Sequence, residues 1–288
     1  MNLLKKNIEA AKQRDYYSFP KKNPVLLILS ILGILAIWYL CQGVFSLVYG
    51  FITRELQVGN MQMIMLGLGN ILATVIFLFT VMRKDKKYLP KATSKMSKLE
   101  IASGMFFVLM LSGLGSVIVD SVRYLTGSLQ VDGAVESMYN ANIFVQIFVS
   151  VISAGVGEEV VFRGCIQNKL MGRINGIWAF IITGMIFGLA HGNVPQFITA
   201  TVSGAAMCFV YAKTRSLGAS IAAHMFNNAI AFVQADFVTQ DAGEPMYWIF
   251  SILLIVVSGV LAIPFIKADA VVIEKQSEEE KDAQNQRS

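Results

Sequence analysis

Eight long apolar runs separated by short polar segments fill most of the chain, at roughly 25–51, 60–82, 101–125, 143–166, 176–192, 197–212, 217–238 and 247–266. A bilayer core about 30 Å thick takes about 20 apolar residues in a helix, and most of these runs reach or approach that length. The pattern predicts an all-α, polytopic membrane helix bundle of about eight transmembrane helices. The run from Pro24 to Phe51 is too long for the apolar stretch of a signal peptide and lacks a small-x-small cleavage site, so it reads as a first, uncleaved span. The fifth and sixth runs are short, about 16–17 residues each, and only Asn193 to Gln196 joins them; such a hairpin is expected to stop below the outer surface. No internal repeat is visible, which argues against a proton-coupled transporter built from inverted halves.

Composition strengthens this picture. The chain is 55% hydrophobic and only 15% charged, with a mean hydropathy of +0.58, outside the range of soluble domains. The net charge of +5 gains meaning from its placement. Of the 24 Lys and Arg residues, all but Arg54, Arg123 and Arg163 fall on one side of an eight-span bundle. The outer loops near Asp132 to Glu136 and Asp241 to Glu244 carry none. Basic residues favour the cytoplasmic side, so both termini are expected in the cytoplasm of a protein of the cytoplasmic membrane. Basic residues that cluster between spans, without interleaved aromatics, give no nucleic-acid footprint. Membrane lipid is the expected surroundings, and the oligomeric state is unreadable.

Small features have structural readings. Cys41, Cys165 and Cys208 are odd in number and lie in apolar stretches, which argues for packing rather than a disulfide framework. Gly184 and Gly188 form a small-xxx-small pair that lets a neighbouring helix approach, and Gly67 and Gly69 suit the same role. Asp120 and Arg123, three apart near the outer end of the third span, read as an interfacial ion pair.

The chemistry lies in the polar residues placed inside apolar runs. The chain has only two histidines: His191 closes Phe187-Gly-Leu-Ala-His191, and His224 opens His224-Met-Phe-Asn-Asn228. A third run carries Glu158-Glu159-Val-Val-Phe-Arg163. Ionisable groups within a membrane are costly and default to a functional reading. In a helix, residues four apart share a face. Glu159 and Arg163 then pair as a structural ion pair, and Glu158, about 100° around the helix, is left free to act as a general base. His191 assists Glu158 in activating water. His224 and Asn228 share a face and supply N–H donors for the oxyanion of a tetrahedral intermediate.

A metal is the competing assignment. Two histidines and a carboxylate make a usual catalytic zinc set, so Glu158, His191 and His224 are the alternative ligands. No HExxH motif supports zinc, and the favoured reading needs no cofactor. The plainest alternative is that each histidine only satisfies a buried hydrogen bond.

The ordered set Glu-Glu-x-x-x-Arg, Phe-x-x-x-His and His-x-x-x-Asn on successive apolar helices resembles the CPBP intramembrane protease family. This family is also called Abi or CAAX-protease-like, and includes the type II CAAX prenyl endopeptidases and bacteriocin-immunity relatives. The resemblance covers about residues 140–235. It implies a membrane endopeptidase with a peptide or membrane-protein substrate, the Glu158 and His191 matches activating water and the His224 and Asn228 matches forming the oxyanion hole. Family members are commonly labelled metalloproteases, so the glutamate and metal versions both stand at this point. A non-catalytic immunity or regulatory membrane protein is the other expectation. The division expected is a cytoplasmic basic arm at 1–24, N-terminal transmembrane helices at 25–140, the protease-like core at 141–238, a last transmembrane helix at 239–267 and a polar, solvated tail at 268–288.

Overall fold

The computed structural model describes residues 17–19, 23–54, 59–92, 94–127, 141–237, 243–271 and 273–274. The expected acidic outer loop at Asp132 to Glu136, most of the basic arm and most of the polar tail lie outside the described residues.

Eight main helices make up most of the described residues: α1 (Pro24–Thr53), α2 (Asn60–Tyr88), α3 (Lys98–Thr126), α4 (Ile143–Met171), α5 (Gly176–Leu189), α6 (Val194–Thr214), α7 (Leu217–Phe237) and α8 (Pro245–Leu261), with α8 continued by the short α9 (Ile263–Lys267). The chain is an integral, all-α membrane protein. Five of these, α1 to α4 and α6, are long and apolar enough to cross a bilayer on their own. Helix α7 has the length but carries His224, Asn227, Asn228 and Gln234, and α5 and α8 are shorter.

Local chemistry sets the helix ends. Asn23 accepts from the Val25 amide, with Pro24 at the first helical position of α1, and Ser97 and Glu100 form a reciprocal capping box on α3. The packing inverts that of a soluble protein. Leu47 and Phe51 are 74% and 87% exposed, facing the lipid side, while Glu159, Arg163, Gln167 and Asn168 are fully buried. Lipid accepts apolar surface freely but leaves polar groups unpaired, so those groups turn inward and bond to one another.

The end of the bundle that carries most of the basic residues is held by polar contacts. Lys169 pairs with Asp85, and Lys213 donates to the Phe265 carbonyl at 2.6 Å. Arg215 donates to the Tyr17 hydroxyl at 2.6 Å, which docks part of the N-terminal arm. Burial pushes the Tyr17 hydroxyl above its usual pKa, with Arg215 pulling the other way. The first part of the polar tail is also docked. Val271 donates its amide to the Lys213 carbonyl at 2.9 Å. Strand β2 (Ile273–Glu274) pairs antiparallel with β1 (Lys91–Ala92). This is a correction to a tail expected to be solvated from residue 268: exposed backbone at the helix ends offered it partners.

Glycines set the closest helix approaches. A Cβ on Gly69 would lie 2.5 Å from the Cys41 carbonyl oxygen of α1, and one on Gly184 would lie 2.7 Å from the Thr201 carbonyl oxygen of α6. The three cysteines are buried and free, and Asp120 and Arg123 pair at 3.1 Å.

Candidate active site

Helix α4 departs from regular α geometry where it carries the motif. Wider π-helical turns at Ile147–Ser153 and Val160–Gln167 flank a regular segment, Ala154–Glu159. Such turns are uncommon and concentrate at functional sites. They change which residues share a face along those stretches, although the four-residue pairing of Glu159 with Arg163 still forms.

The two adjacent glutamates have opposite surroundings. Glu159 has no exposed surface and three partners: Arg163 at 2.7 Å, Ser220 Oγ at 2.5 Å and His224 Nδ1 at 2.9 Å. The other guanidinium arm of Arg163 donates to the Gly204 carbonyl of α6 at 2.9 Å. Glu159 thus ties α4 to α7, and Arg163 ties α4 to α6. Glu158 keeps 16% of its side chain exposed, borders the cavity, and lies 3.8 Å from His224 Nε2.

The imidazoles are oriented by acceptors. The Phe187 carbonyl lies 2.8 Å from His191 Nδ1. A carbonyl can only accept, so Nδ1 carries the proton, and a neutral His191 leaves its Nε2 lone pair free. By the same argument His224 Nδ1–H donates a hydrogen bond to the Glu159 carboxylate. His191 was expected inside the fifth span, but α5 ends at Leu189 and His191 sits in the turn that follows. The Asn193 side chain caps α6, with Pro195 beside it in the first turn; that signal was present in the sequence and moves the start of α6 upstream of residue 197. Tyr39 of α1 donates to the Ala190 carbonyl at 2.9 Å, pinning the turn that holds His191. Asn228 donates to the Ser150 carbonyl at 2.8 Å, which uses one of its two amide hydrogens.

Glu158, His191, His224 and Asn228 all border one cavity of about 470 Å³. Most of its other polar walls come from residues the motifs do not contain, among them Gln42, Asn70, Ser112, Ser116 and Ser153. Asn70 was missed by sequence reasoning. It accepts from the Trp38 indole at 2.7 Å and donates to the Ser153 carbonyl at 2.7 Å, holding α1, α2 and α4 together beside the cavity. The signal was available: Asn70 is a lone amide in an otherwise apolar stretch of α2, next to the close-approach glycines. Ser220 was also missed, because a serine in an apolar helix is unremarkable until its carboxylate partner is known.

The alternative metal set was tested on donor geometry. Among the described residues, no group of three His, Cys, Asp or Glu side chains converges as a metal site. Both histidine Nδ1 atoms bond protein oxygens, which leaves Nε2 as the open ring nitrogen of each imidazole.

Comparison with known proteins agrees with the residue pattern. Residues 140–230 match the family described as "Type II CAAX prenyl endopeptidase Rce1-like". Over 163 residues the chain is 25% identical to "Putative membrane peptidase YdiL" of Bacillus subtilis (strain 168), a match that covers 57% of this chain and 66% of that relative's length. No solved structure matches. The family match lies over α4 to α7, the helices that carry the motif residues.

Proposed function

We propose that the protein is an intramembrane endopeptidase that hydrolyses a peptide bond in a membrane-associated peptide or protein. The observation that carries this reading is the contrast between the two glutamates on a shared cavity: Glu159 is saturated by Arg163, Ser220 and His224, while Glu158 faces the open space. Glu158 takes a proton from water, with the free Nε2 lone pair of His191 orienting that water. The oxygen attacks the carbonyl carbon, and the oxyanion receives N–H bonds from His224 Nε2 and the second amide hydrogen of Asn228. To donate from Nε2, His224 must hold protons on both nitrogens, and Glu159 accepts the one on Nδ1. Collapse of the intermediate breaks the C–N bond, and the leaving amine takes the proton from Glu158.

The test compares wild type with Glu158→Gln in detergent on a quenched-peptide library, with and without a chelator. The expected loss is about 10²–10⁴-fold in rate, the usual contribution of a general base, with the melting temperature held and no effect of chelator. Cleavage retained in Glu158→Gln would sink the glutamate mechanism. A chelator-sensitive rate restored by zinc would return Glu158, His191 and His224 to ligand roles.

A further inference from the structure

Helix α1 gives most of its surface to lipid: Leu40, Val44, Leu47 and Val48 are each more than half exposed. It holds no charged side chain and a single carboxamide, Gln42. Gln42 instead borders the cavity that also touches Glu158, His191, His224 and Asn228. It lies outside the family match over residues 140–230, and no step of the chemistry above uses it. Its place is fixed from two sides. Tyr39, three residues earlier on the same face, donates to the Ala190 carbonyl at 2.9 Å, beside His191. Trp38 donates to Asn70 at 2.7 Å, and Asn70 donates to the Ser153 carbonyl of α4. Gly69 of α2 allows the close approach, since a Cβ there would lie 2.5 Å from the Gln42 Cα. The backbone at Gln42 is therefore tied both to the turn that carries His191 and, through Asn70, to the helix that carries Glu158.

The side chain lacks what its backbone has. Gln42 Nε2 has no exposed surface and finds no acceptor. The other carboxamides on the cavity wall, Asn70, Gln196, Asn227 and Asn228, all bond to neighbouring protein groups. Buried polar groups are nearly always paired, and a donor left unpaired destabilises the fold that carries it. A rigidly placed helix that keeps such a donor on the wall of a site gains from it only when a ligand supplies the acceptor. A carboxamide offers an N–H donor and a C=O acceptor side by side, the same pair that a peptide unit presents.

We propose that Gln42 is a substrate-binding residue supplied by α1, whose Nε2–H donates to a backbone carbonyl of the peptide segment next to the scissile bond. That the ligand is a peptide rests on the peptidase reading above. The bond forms with the bound segment and persists through the reaction, so it strengthens binding and leaves the chemical step unchanged.

Gln42→Met keeps the length of the side chain and removes the donor. Binding is read without turnover, by passing the peptide library over immobilised Glu158→Gln and over the Glu158→Gln, Gln42→Met double variant and weighing the retained peptides by mass spectrometry. Peptides held by Glu158→Gln are expected to bind the double variant about three- to tenfold more weakly, the usual size of one hydrogen bond. For a peptide that wild type cleaves, Gln42→Met alone should raise KM by the same factor with kcat held. The melting temperature without peptide is expected to hold or rise, because an unpaired donor is gone. A fall of several degrees would show that Gln42 has a structural partner and would overturn the proposal. Equal retention by the two proteins overturns it as well, even where wild type cleaves the peptide. So does the failure of Glu158→Gln to retain any peptide, because a peptide ligand is asserted. Retention that depends on Gln42, with no cleavage by wild type, would sink the peptidase reading and leave Gln42 as a peptide-binding residue.

Discussion

Below Glu159, towards the basic end, Phe162, Ile166, Met171 and Cys208 pack with almost no exposed surface; above it, Ser112, Ser116, Ser150, Asn228 and Gln196 face open space. The same helices build both halves, and the change from solid to hollow falls within one turn of α4, between two adjacent glutamates. The buried half fixes where charges stand, and the open half provides room for a substrate. Glu159 belongs to the first and Glu158 to the second, so neighbouring residues of one type serve different ends because of what the other helices bring to them.

Breaking the buried half should cost most. Arg163→Leu leaves the Glu159 carboxylate without its cation, and removal of one partner from a buried pair costs about 3–5 kcal/mol; thermal unfolding in detergent should show a large loss or no folded protein. Ser220→Ala removes a short bond to the same carboxylate, and a hydrogen bond to a charged group is worth about 1.5–3 kcal/mol. A lower melting temperature is expected, with His224 less well held, and an unchanged one would mean Ser220 is dispensable. Gly157→Ala tests the boundary between the halves. The new methyl would lie 2.5 Å from the Asn70 amide atoms, which Trp38 and Ser153 hold in place, so overpacking of about 1–3 kcal/mol is expected. Ser116→Ala, in the hollow half, should move stability by no more than about 0.5 kcal/mol. If it destabilises as much as Ser220→Ala, the contrast between the two halves fails.

Much of the site was legible in the sequence because a membrane makes polar residues conspicuous. Glu158, Glu159, Arg163, His191, His224 and Asn228 stand out in apolar runs, and the structure brings all six to the cavity or its buried edge. Ordinary helical spacing also gave the pairing of Glu159 with Arg163, four residues apart. The same reasoning failed where partners come from distant elements. Nothing near Ser220 in the chain announces Glu159, 61 residues away, and nothing near Asn70 announces Trp38 or Ser153.

By itself, the chain determined that its apolar runs become helices in lipid, since unpaired backbone is too costly there for any other form except a closed barrel. The grouping of basic residues at one end was likewise written into it. Tertiary structure alone decided which groups of other helices complete the lock on Glu159 and Arg163, namely Ser220, His224 and the Gly204 carbonyl. It also set the half of the bundle that is hollow. Those outcomes depend on register between helices far apart in the chain, and register is set by glycine contacts and buried hydrogen bonds that exist only once the helices have met.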